Sequence, residues 1–508
     1  MDALRSWAER QPNKLAAAMA TSSEQLTYAE LDQEADRVAC MLQGLGIPEG
    51  GTIALLHENN LRTLSLWWGA RRAGLYYVPL GTSLRPADLA FIVEDCAASA
   101  VFVTRGLEQQ GVALAAELGN NQDTPIYCDG PSAVLKDFSI LLEGSCVKPR
   151  PAALFGREMI YSSGTTGRPK GIRRDLSSVE NAMVLPELER RMRQVYQIDE
   201  RTIYLSLAPL YHATGRFLNR AIESGGSVVI LPKFNPQDAL ATIERFAVSH
   251  TQWVPTMFSR LLALPEEIRS RYDLSSHKVA LHAAAPCPIP VKRAMIEWWG
   301  LIVDEYYGGS ENAGVTFISA REWLERPGSV GRSITGRIHI LADDDTFSEL
   351  PVGQTGLIYF EGGLNFQYTT GGDTPSVRGD LSTYGDLGHV DEDQYLFISD
   401  RRSDLIISGG VNIYPKEVEL VIETYPSVRE VAVIGVPDPE FGQQVKAVVC
   451  MANDIEDRPS LERALMQFCR ENLSSIKCPK GIVFIDELPR NENGKLLKRT
   501  LRDRFSAP

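Results

Sequence analysis

Short apolar runs alternate with longer stretches of helical periodicity over the first half of the chain. The apolar runs predict strands at residues 52–56, 76–80, 99–104 and 227–231, and the stretches between them predict helices at 61–73, 86–94 and 236–248. Alternation of this kind is typical of layered architectures with largely parallel sheets. We therefore predict an α/β fold with a large N-terminal domain of several subdomains, in which helices pack on the sheets.

A polar, charged stretch at residues 399–404 separates two apolar runs and marks a candidate domain boundary. The segment beyond it is long enough for a small domain. It contains predicted strands at 431–436 and 444–450 and an amphipathic helix at 461–471. Because 508 residues exceed what one hydrophobic core usually supports, we predict an N-terminal domain over residues 1–400 and a mobile α+β C-terminal domain over residues 401–508.

The composition limits the class of protein. With 44% hydrophobic and 23% charged residues, it is that of a soluble globular protein. A net charge of −13 argues against nucleic acid as a partner, whereas local lysines and arginines can still hold a small phosphorylated ligand. The sequence shows no signal-peptide core after Met1 and no apolar run of about 18 residues. We expect a cytoplasmic protein with no integral membrane segment.

The eight cysteines are scattered, with no Cys-x-x-Cys pair and no spacing typical of metal ligands. This pattern predicts reduced, mostly structural thiols, as in a cytosolic protein.

The richest chemical signal is the run Tyr-Ser-Ser-Gly-Thr-Thr-Gly-Arg-Pro-Lys-Gly at residues 161–171, after a predicted short strand at 155–160. Glycines allow backbone N–H groups to approach a phosphate, hydroxyls donate to its oxygens, and cations offset its charge. A Walker A site counted from Gly164 needs Gly-Lys where Pro169 and Lys170 stand. The run therefore predicts a phosphate-binding loop with a use of ATP other than simple γ-phosphoryl transfer.

Four further motifs accompany this loop. Leu-Thr-Tyr-Ala-Glu-Leu occupies residues 26–31, and Tyr-Gly-Gly-Ser-Glu at 307–311 follows a strand-like run. Tyr-Gly-Asp stands at 384–386, and Pro-Arg-Asn-Glu-Asn-Gly-Lys at 489–495 lies near the C-terminus. In this order the five motifs resemble the adenylate-forming superfamily, which contains acyl-CoA synthetases, peptide-synthetase adenylation domains and luciferases. The resemblance covers nearly the whole chain.

The resemblance implies a two-step reaction. A carboxylate attacks the α-phosphate of ATP and releases pyrophosphate, and a thiol then displaces AMP from the acyl-adenylate. Cations and Mg²⁺ around the triphosphate are needed for the first step. The implied cofactors are ATP, Mg²⁺ and coenzyme A, and the implied partner is a small carboxylic acid. The sequence does not decide whether the protein forms a homodimer.

The same resemblance assigns residues to the phosphates, the metal and the first chemical step. Lys495 has the position of the adenylation lysine, a long ammonium that reaches both the substrate carboxylate and the α-phosphate. Glu311, together with Thr166, has the position of the Mg²⁺ ligands. His212 has the place of a pocket-gating histidine. The loop around the β- and γ-phosphates comprises Ser162, Ser163, Gly164, Thr165, Thr166 and Lys170.

Other segments are implied to bind the nucleoside and the thiol. Asp386 matches the carboxylate that receives the ribose hydroxyls, and Arg401 the neighbouring arginine. Glu305 stands where the superfamily often has Asn or Gln, and a carboxylate can accept from the adenine amino group but cannot donate. Gly409 and Gly410 are implied to line the thiol tunnel after the small domain rotates near Ser403. The adenine segment comprises Ala284, Ala285, Pro286, Glu305, Tyr306, Tyr307, Gly308 and Ser310.

The acyl pocket is expected from residues 209–216, 250–256 and 282–286. Small side chains there leave room, so we predict an apolar, roomy pocket for a medium- or long-chain fatty acid or a bulky alicyclic, steroid-type acid. Arg216 either pairs with a second polar group of the substrate or faces solvent. The pocket residues are His212, Arg216, Trp253, Ala283 and Gly308.

Three alternatives stay open from the sequence. The acid can be an aryl acid, or the enzyme can be a stand-alone adenylation enzyme that loads a carrier protein. The third alternative, a non-catalytic nucleotide-binding protein, is disfavoured because Lys170, Glu311, Asp386 and Lys495 are all present.

Overall fold

The computed structural model describes residues 2–506 apart from 120–123, 163–168, 183, 185, 213, 345, 363–366, 370–376, 402–403, 409–410, 439–440, 453–456 and 491–495. At residues 162, 214–216, 367, 377–378, 401 and 411–412 it describes the backbone alone.

The helices of the described residues are spread over the whole chain. Several begin where the sequence supplies a cap: α2 begins after Thr27, which forms a capping box with Glu30. The helices are α1 Ala3–Arg10, α2 Tyr28–Gly44, α3 Leu61–Arg72, α4 Pro86–Asp95, α5 Glu108–Leu118, α6 Phe138–Glu143, α7 Val179–Ala182, α8 Glu187–Val195, α9 Thr214–Glu223, α10 Pro236–Phe246, α11 Pro255–Leu262, α12 Glu266–Arg269, α13 Ile289–Trp299, α14 Ala320–Glu325, α15 Pro415–Ile422, α16 Arg458–Asn472 and α17 Lys498–Phe505.

The strands alternate with these helices up to about residue 307 and are then mostly consecutive. They are β1 Leu15–Met19, β2 Gln25–Thr27, β3 Thr52–Leu56, β4 Tyr76–Pro79, β5 Ala98–Val103, β6 Ile126–Cys128, β7 Lys136–Asp137, β8 Leu154–Phe155, β9 Arg157–Glu158, β10 Ile160–Ser162, β11 Lys170–Arg173, β12 Ser177–Ser178, β13 Ile203–Ser206, β14 Ser227–Ile230, β15 His250–Trp253, β16 Val279–His282, β17 Val303–Tyr307, β18 Thr316–Ile318, β19 Arg332–Ser333, β20 Ile338–Leu341, β21 Gly356–Glu361, β22 Gln367–Tyr368, β23 Val377–Arg378, β24 Leu381–Ser382, β25 Asp386–Val390, β26 Leu396–Arg401, β27 Ile406–Ser408, β28 Val411–Ile413, β29 Val428–Asp438, β30 Gly442–Met451 and β31 Gly481–Phe484.

The segments Met1–Glu325 and Leu364–Pro375 form one compact unit, built on two largely parallel sheets. The first contains β18-β17-β16-β15-β13-β14-β1-β2, with parallel pairing from β17 to β1. The second, β7-β6-β5-β3-β4-β9, is parallel throughout. Strand β3 is buried along its whole length, which explains its unbroken apolar run.

The segments Arg326–Gly363 and Ser376–Pro508 form the second compact unit. Its first part is an antiparallel sheet of β23-β24-β21-β25-β26, with β20 also on β21. Its last part is a smaller sheet, β29-β30-β31, packed with α15 and α16 around a core that includes Val418, Val433 and Leu465. This mixture of strands and helices matches the predicted α+β character.

A buried carboxylate holds the end of the chain onto this small sheet. Glu419 accepts a hydrogen bond from the backbone N–H of Val433 at 2.9 Å, and its Oε1 lies 2.8 Å from the ammonium of Lys498. Burial alone would raise the pKa of Glu419, but Lys498 and Lys416 outweigh it and lower that pKa. The pair fixes α17, which begins three residues after Lys495.

The predicted α/β class with largely parallel sheets is confirmed. The helix predicted at 61–73 is α3 and the strand predicted at 76–80 is β4, each within a residue or two of its observed ends. The predicted boundary at residue 400 concerns a domain that rotates, and it remains a prediction. Within the second unit, Leu405 and Tyr414 pack against the sheet residues Leu341 and Leu387, so packing alone does not separate the two sides of residue 400.

The prediction that every cysteine is a reduced thiol is wrong for one pair. Cys40 on α2 and Cys146 after α6 form a disulfide, with Cα atoms 5.7 Å apart. Sequence reasoning missed it because 106 residues separate the two cysteines. The other six are free thiols. Among the described residues, no helix is long and apolar enough to cross a membrane.

We expect six reactive thiols when the unreduced protein is denatured and titrated with a thiol reagent, and eight after reduction. Reduction should lower the free energy of unfolding by about 2–4 kcal/mol, because the bond restricts the unfolded chain. The double variant C40S/C146S is the control and should give six thiols in both states. Eight thiols before reduction would show that the bond does not form.

Candidate active site

The carboxyl ends of four neighbouring parallel strands meet at one edge of the first sheet, where ligands bind in open α/β sheets. Strands β13, β15, β16 and β17 lie side by side in the order β17-β16-β15-β13. Four sequence-predicted segments follow or end these strands. They are His212, Trp253, Ala283–Pro286 and Gly308–Glu311.

The predicted phosphate loop connects two antiparallel strands. Strand β10 pairs with β11 so that Ser162 lies opposite Lys170. The residues between them, including Ser163, Gly164, Thr165 and Thr166, lie outside the described residues. The ammonium of Lys170 lies 5.3 Å from the ring centroid of Tyr368 on β22, the third strand of this small sheet. A strand thus precedes the loop, as expected, and the role of the loop in phosphate binding remains a prediction.

A half-buried carboxylate at the end of α4 supports this hairpin. Asp95, the last residue of α4, accepts hydrogen bonds from the hydroxyls of Tyr161 and Thr369. Thr369 in turn accepts from the backbone N–H of Gly171 at 3.2 Å. A Cβ on Gly171 would come within 2.6 Å of the Thr369 hydroxyl, so only glycine allows this approach. Asp95 therefore fixes both strands that flank the loop, and no motif indicated it.

Arg174 links the hairpin to the predicted metal-binding turn. Its guanidinium Nη2 donates to the carbonyl oxygen of Ser310 at 2.6 Å, and its own carbonyl accepts from the hydroxyl of Tyr76 at 2.7 Å. Ser310 directly precedes Glu311. The end of β11 and the turn after β17 are thus held together by one side chain that no motif indicated.

Glu311 suits a Mg²⁺ ion bound jointly with phosphates. Its side chain is half-buried on the turn that Arg174 holds. Within the part of the chain that the structure describes, no group of three His, Cys, Asp or Glu side chains could hold a metal. Mg²⁺ commonly uses one or two carboxylates and completes its octahedron with water and phosphate oxygens. The donor set fits the predicted ion.

Glu305 takes part in a buried ion pair that the sequence did not suggest. Its carboxylate Oε2 lies 2.6 Å from the ammonium of Lys292 on α13 and 3.3 Å from Nε2 of His282. Lys292 is fully buried, with its ammonium 4.8 Å from the ring centroid of Trp323. His282 and Glu305 are direct partners in the parallel ladder between β16 and β17. The backbone pairing thus sets the geometry of this cluster.

Charge balance in this cluster favours a neutral histidine. Burial raises the pKa of Glu305, and the Lys292 charge opposes that rise. Burial together with the same lysine lowers the pKa of His282. A buried charge without its partner costs much folding free energy. The positive charge of Lys292 therefore allows a carboxylate to be buried at this position.

The remaining adenine-segment residues lie on the same strand ends. Tyr306 accepts a hydrogen bond from Gln252 Nε2 at 2.5 Å, and its ring packs between Tyr196 and Phe217. Ala284 has a φ of +73°, an unusual conformation for a residue with a Cβ. Such backbone conformations occur where a turn is held by its surroundings, here directly after β16.

The predicted gating histidine lies on a loop that a buried asparagine holds. Asn59 donates to the carbonyl oxygens of Ala208 and Leu231 at 3.2 and 3.0 Å and accepts from the N–H of Leu210 at 2.8 Å. The ring of His212 packs edge-on against Tyr211, 4.3 Å between centroids. Burial lowers the pKa of His212 to about 3, so the ring is neutral at physiological pH.

Trp253 is a packed core residue in this structure. It is 1% exposed and lies within an aromatic group, 5.1 Å from Trp299 and 5.8 Å from Phe258 between ring centroids. This packing is compatible with Trp253 as the floor of the predicted acyl pocket. A gating movement of Trp253 would have to break these ring contacts. The side chain of Arg216 lies outside the described residues.

The second unit holds the remaining predicted residues. Asp386 and Arg401 are direct partners in the backbone ladder between β25 and β26, and their roles at the ribose remain a prediction. Gly409 and Gly410 lie outside the described residues, between β27 and β28. Ser403 and Lys495 are also outside them. Arg490 and Leu496 form a β-bridge on either side of the segment that contains Lys495.

Comparison with known proteins shows which family this chain is similar to. Residues 4–368 match the AMP-binding enzyme family, and residues 417–495 match its C-terminal domain. Feruloyl-CoA synthase of Amycolatopsis sp is 32% identical over 94% of each chain. Long-chain-fatty-acid–CoA ligase FadD13 of Mycobacterium tuberculosis is 28% identical over 99% of this chain and 98% of its own. ATP-bound MatB from Rhodopseudomonas palustris has a TM-score of 0.83 at 29% identity, over 100% of this chain and 99% of that chain.

The chain belongs to the AMP-binding enzyme family, within the adenylate-forming superfamily that the motifs resemble. It is an acid–thiol ligase of the acyl-CoA synthetase class, which uses ATP, Mg²⁺ and coenzyme A. The sequence-based recognition of the superfamily is confirmed.

Substitution K292M should lower the free energy of unfolding by about 3–5 kcal/mol, because it leaves Glu305 buried without its partner. The double variant K292M/E305Q should recover most of that loss. Chemical denaturation measures both, and K278M, at an exposed lysine, should change stability by less than about 0.5 kcal/mol. A K292M variant as stable as wild type would mean that the ion pair is not formed.

The dependence of kcat/KM on pH should contain no ionisation of His212 between pH 5 and 8. Its pKa in the folded protein, about 3, is below the ordinary value of 6.5, so the ring is neutral over this whole range and becomes charged only in stronger acid. The variant H212N should lose activity while its pH profile keeps the wild-type shape. An acidic limb near pH 6 that disappears in H212N would contradict the assignment.

Proposed function

We propose that this protein is an ATP-dependent, AMP-forming acyl-CoA ligase that activates a carboxylic acid as its adenylate and transfers the acyl group to coenzyme A. The observation that carries the proposal is the connection through Arg174, which joins the end of the phosphate-loop hairpin to the turn of Glu311. The residues proposed to bind the phosphates and the carboxylate proposed to bind the metal ion are thereby held at fixed positions relative to each other. Attack at the α-phosphate requires such positioning.

In the first step, the substrate carboxylate attacks the α-phosphorus and pyrophosphate leaves. Lys170 and the loop 163–168 hold the β- and γ-phosphates, and Glu311 with Thr166 would hold Mg²⁺. The bound ion supplies charge neutralisation on the phosphate oxygens. Lys495 contacts the attacking carboxylate and the α-phosphate, where its positive charge offsets the charge that develops.

The base and the ribose of the nucleoside each have their own residues in this proposal. Glu305 accepts a hydrogen bond from the adenine amino group, and Lys292 balances the charge of Glu305. Tyr307 stacks on the base, next to the turn of Ala284–Pro286. Asp386 receives the two ribose hydroxyls and Arg401 lies beside it; their direct pairing on β25 and β26 supports a joint role.

In the second step, the thiol attacks the acyl carbonyl carbon and AMP leaves. We propose that the C-terminal domain rotates about Ser403, which carries Lys495 away and brings Gly409 and Gly410 to the site as the wall of the thiol tunnel. Coenzyme A is the favoured acceptor, because the curated relatives reported above carry names of CoA ligases or synthases.

The acid is either an apolar medium- or long-chain or alicyclic acid, or an aryl acid. One relative is named for long-chain fatty acids and another, at 32% identity, for ferulate, so the names favour neither class. Trp253, as the floor of the proposed pocket, packs on Phe258 and Trp299, and an aromatic floor suits both classes. We also propose a cytoplasmic enzyme, with a homodimer as a possible assembly.

The test of this function is a screen of carboxylic acids for ATP-dependent pyrophosphate release, with and without coenzyme A. The expected result is release that depends on the acid and an acyl-CoA product in equimolar amount with AMP. A carrier protein bearing phosphopantetheine serves as the competing acceptor. Phosphate release in place of pyrophosphate, or no dependence on any acid, would reject the proposal.

Substitution K495A should reduce acyl-adenylate formation at least about a hundredfold, because it removes the cation beside the α-phosphate. It should spare thioester formation from supplied acyl-adenylate, since the lysine has left the site by then. K480A, at an exposed lysine of the same domain, is the matched control and should affect neither half-reaction. Equal losses in the two half-reactions of K495A would refute this division.

A further inference from the structure

One face of the first sheet carries buried polar side chains that lack hydrogen-bond partners. Tyr204 and Ser206 lie on β13, and Gln252 lies on the neighbouring β15. Because Tyr204 pairs with His250 and side chains alternate along a strand, all three project from the same face. The hydroxyls of Tyr204 and Ser206 and the amide oxygen of Gln252 are buried without a partner.

Two further tyrosines converge on this face. Tyr196 is fully buried after α8, and its backbone is held by His250, whose Nε2 lies 3.1 Å from the carbonyl oxygen of Tyr196. The Tyr196 hydroxyl also has no partner. The rings of Tyr196, Tyr204 and Tyr306 lie 5.3, 6.2 and 5.7 Å from that of Phe217 on α9. We call Tyr196, Tyr204, Tyr306, Phe217 and Gln252 the tyrosine cluster.

The charge beside the cluster is already balanced. Arg220 on α9 forms a two-pronged ion pair with Glu189, with N–O distances of 2.7 and 2.9 Å. Burial raises the pKa of both Tyr196 and Tyr204, and the Arg220 charge only partly opposes it. The hydroxyls are therefore neutral donors at physiological pH. An anionic group would gain little from an arginine that already has a carboxylate, so the cluster suits a neutral oxygen.

The cluster lies against the strand ends that carry the proposed acyl pocket. Phe217 directly follows Arg216 on α9, whereas Trp253, next to Gln252 on β15, projects from the opposite face. Ala283 continues the same face of β16, because Leu281, two residues earlier, is the partner of Gln252. Its side chain is a single methyl group, which occupies little of the volume on that face.

We propose that the acyl part of the substrate carries neutral oxygen groups, hydroxyl or carbonyl, that bind the hydroxyls of Tyr196 and Tyr204 and the amide of Gln252. The inference rests on the proposed ligase function and narrows its substrate to an oxygenated acid, such as a hydroxylated aryl or alicyclic acid. A plain alkyl chain would leave these buried polar atoms unpaired, and sites built from hydrogen-bonding groups reject analogues that lack the partner.

Matched pairs of acids test the inference. The probes are cinnamic and 4-hydroxycinnamic acid, cholanic and 3-hydroxycholanic acid, and dodecanoic and 12-hydroxydodecanoic acid, with kcat/KM measured from pyrophosphate release in the presence of coenzyme A. Wild type should favour the hydroxylated member of at least one pair by about tenfold or more. In Y196F or Y204F that ratio should fall by about tenfold, through loss of rate with the hydroxylated acid.

Thermal stability supplies a readout that needs no substrate. Y204F and Y196F should leave Tm unchanged or raise it, because the hydroxyl removed has no protein partner to lose. Tyr28 is the matched control: it is buried, and its hydroxyl lies 2.9 and 2.6 Å from the carbonyl oxygens of Ile222 and Gly226. Y28F should lower Tm by several degrees and leave the ratio between paired acids unchanged.

The outcomes separate the inference from the proposed function. The inference is overturned if wild type and both cluster variants show the same kcat/KM for the two members of each pair. It is also overturned if only acids without oxygen in the acyl part react in the broader screen. The proposed ligase function stands in both cases. A lowered Tm in Y196F and Y204F overturns it as well, since the hydroxyls then bind protein or trapped water. If no acid supports pyrophosphate release, the proposed function itself fails.

Discussion

The parallel backbone ladder of the first sheet is the constraint on which the site depends. Pairing between β16 and β17 sets His282 opposite Glu305 and so determines where Lys292 must place its charge. The same ladder brings the carboxyl ends of β13, β15, β16 and β17 to one edge. A shift of one residue would turn every side chain to the opposite face, so catalytic residues and core residues share one register.

Polar groups around the candidate site fall into two kinds. Some are satisfied within the protein: Asn59 makes three hydrogen bonds that hold the loop of His212, and Asp95 accepts from both Tyr161 and Thr369. These groups position the loops of the candidate site. Others, such as the hydroxyls of Tyr196 and Tyr204, are unsatisfied in the folded chain. The satisfied groups fix the positions of the loops, and the unsatisfied groups are available to bind a ligand.

Much of the fold was predictable from local pattern. The strand at β3 and the helices α3 and α4 were predicted within a residue or two, because a buried parallel strand needs continuous apolar residues and helix ends carry capping or proline signals. The disulfide between Cys40 and Cys146 was missed, since no local signal joins residues 106 positions apart. Lys292 left no distinctive trace, because its helix also contains Arg293 and Glu297, and its partner Glu305 could not be identified without the register of β17.

The sequence by itself determined the reaction class. Hydroxyls, glycines and cations at short fixed spacing indicate a phosphate-binding loop, and the order of the five motifs resembles the adenylate-forming superfamily. The metal, ribose and adenylation roles of Glu311, Asp386 and Lys495 are what that resemblance implies. Tertiary structure decided which polar side chains are already paired, among them Arg174 with Ser310 and Arg220 with Glu189, and which of the described ones are buried without a partner. The physical reason is that hydrogen-bond partners come from segments far apart in the chain, and only the packed fold brings those segments within 3 Å or so of each other.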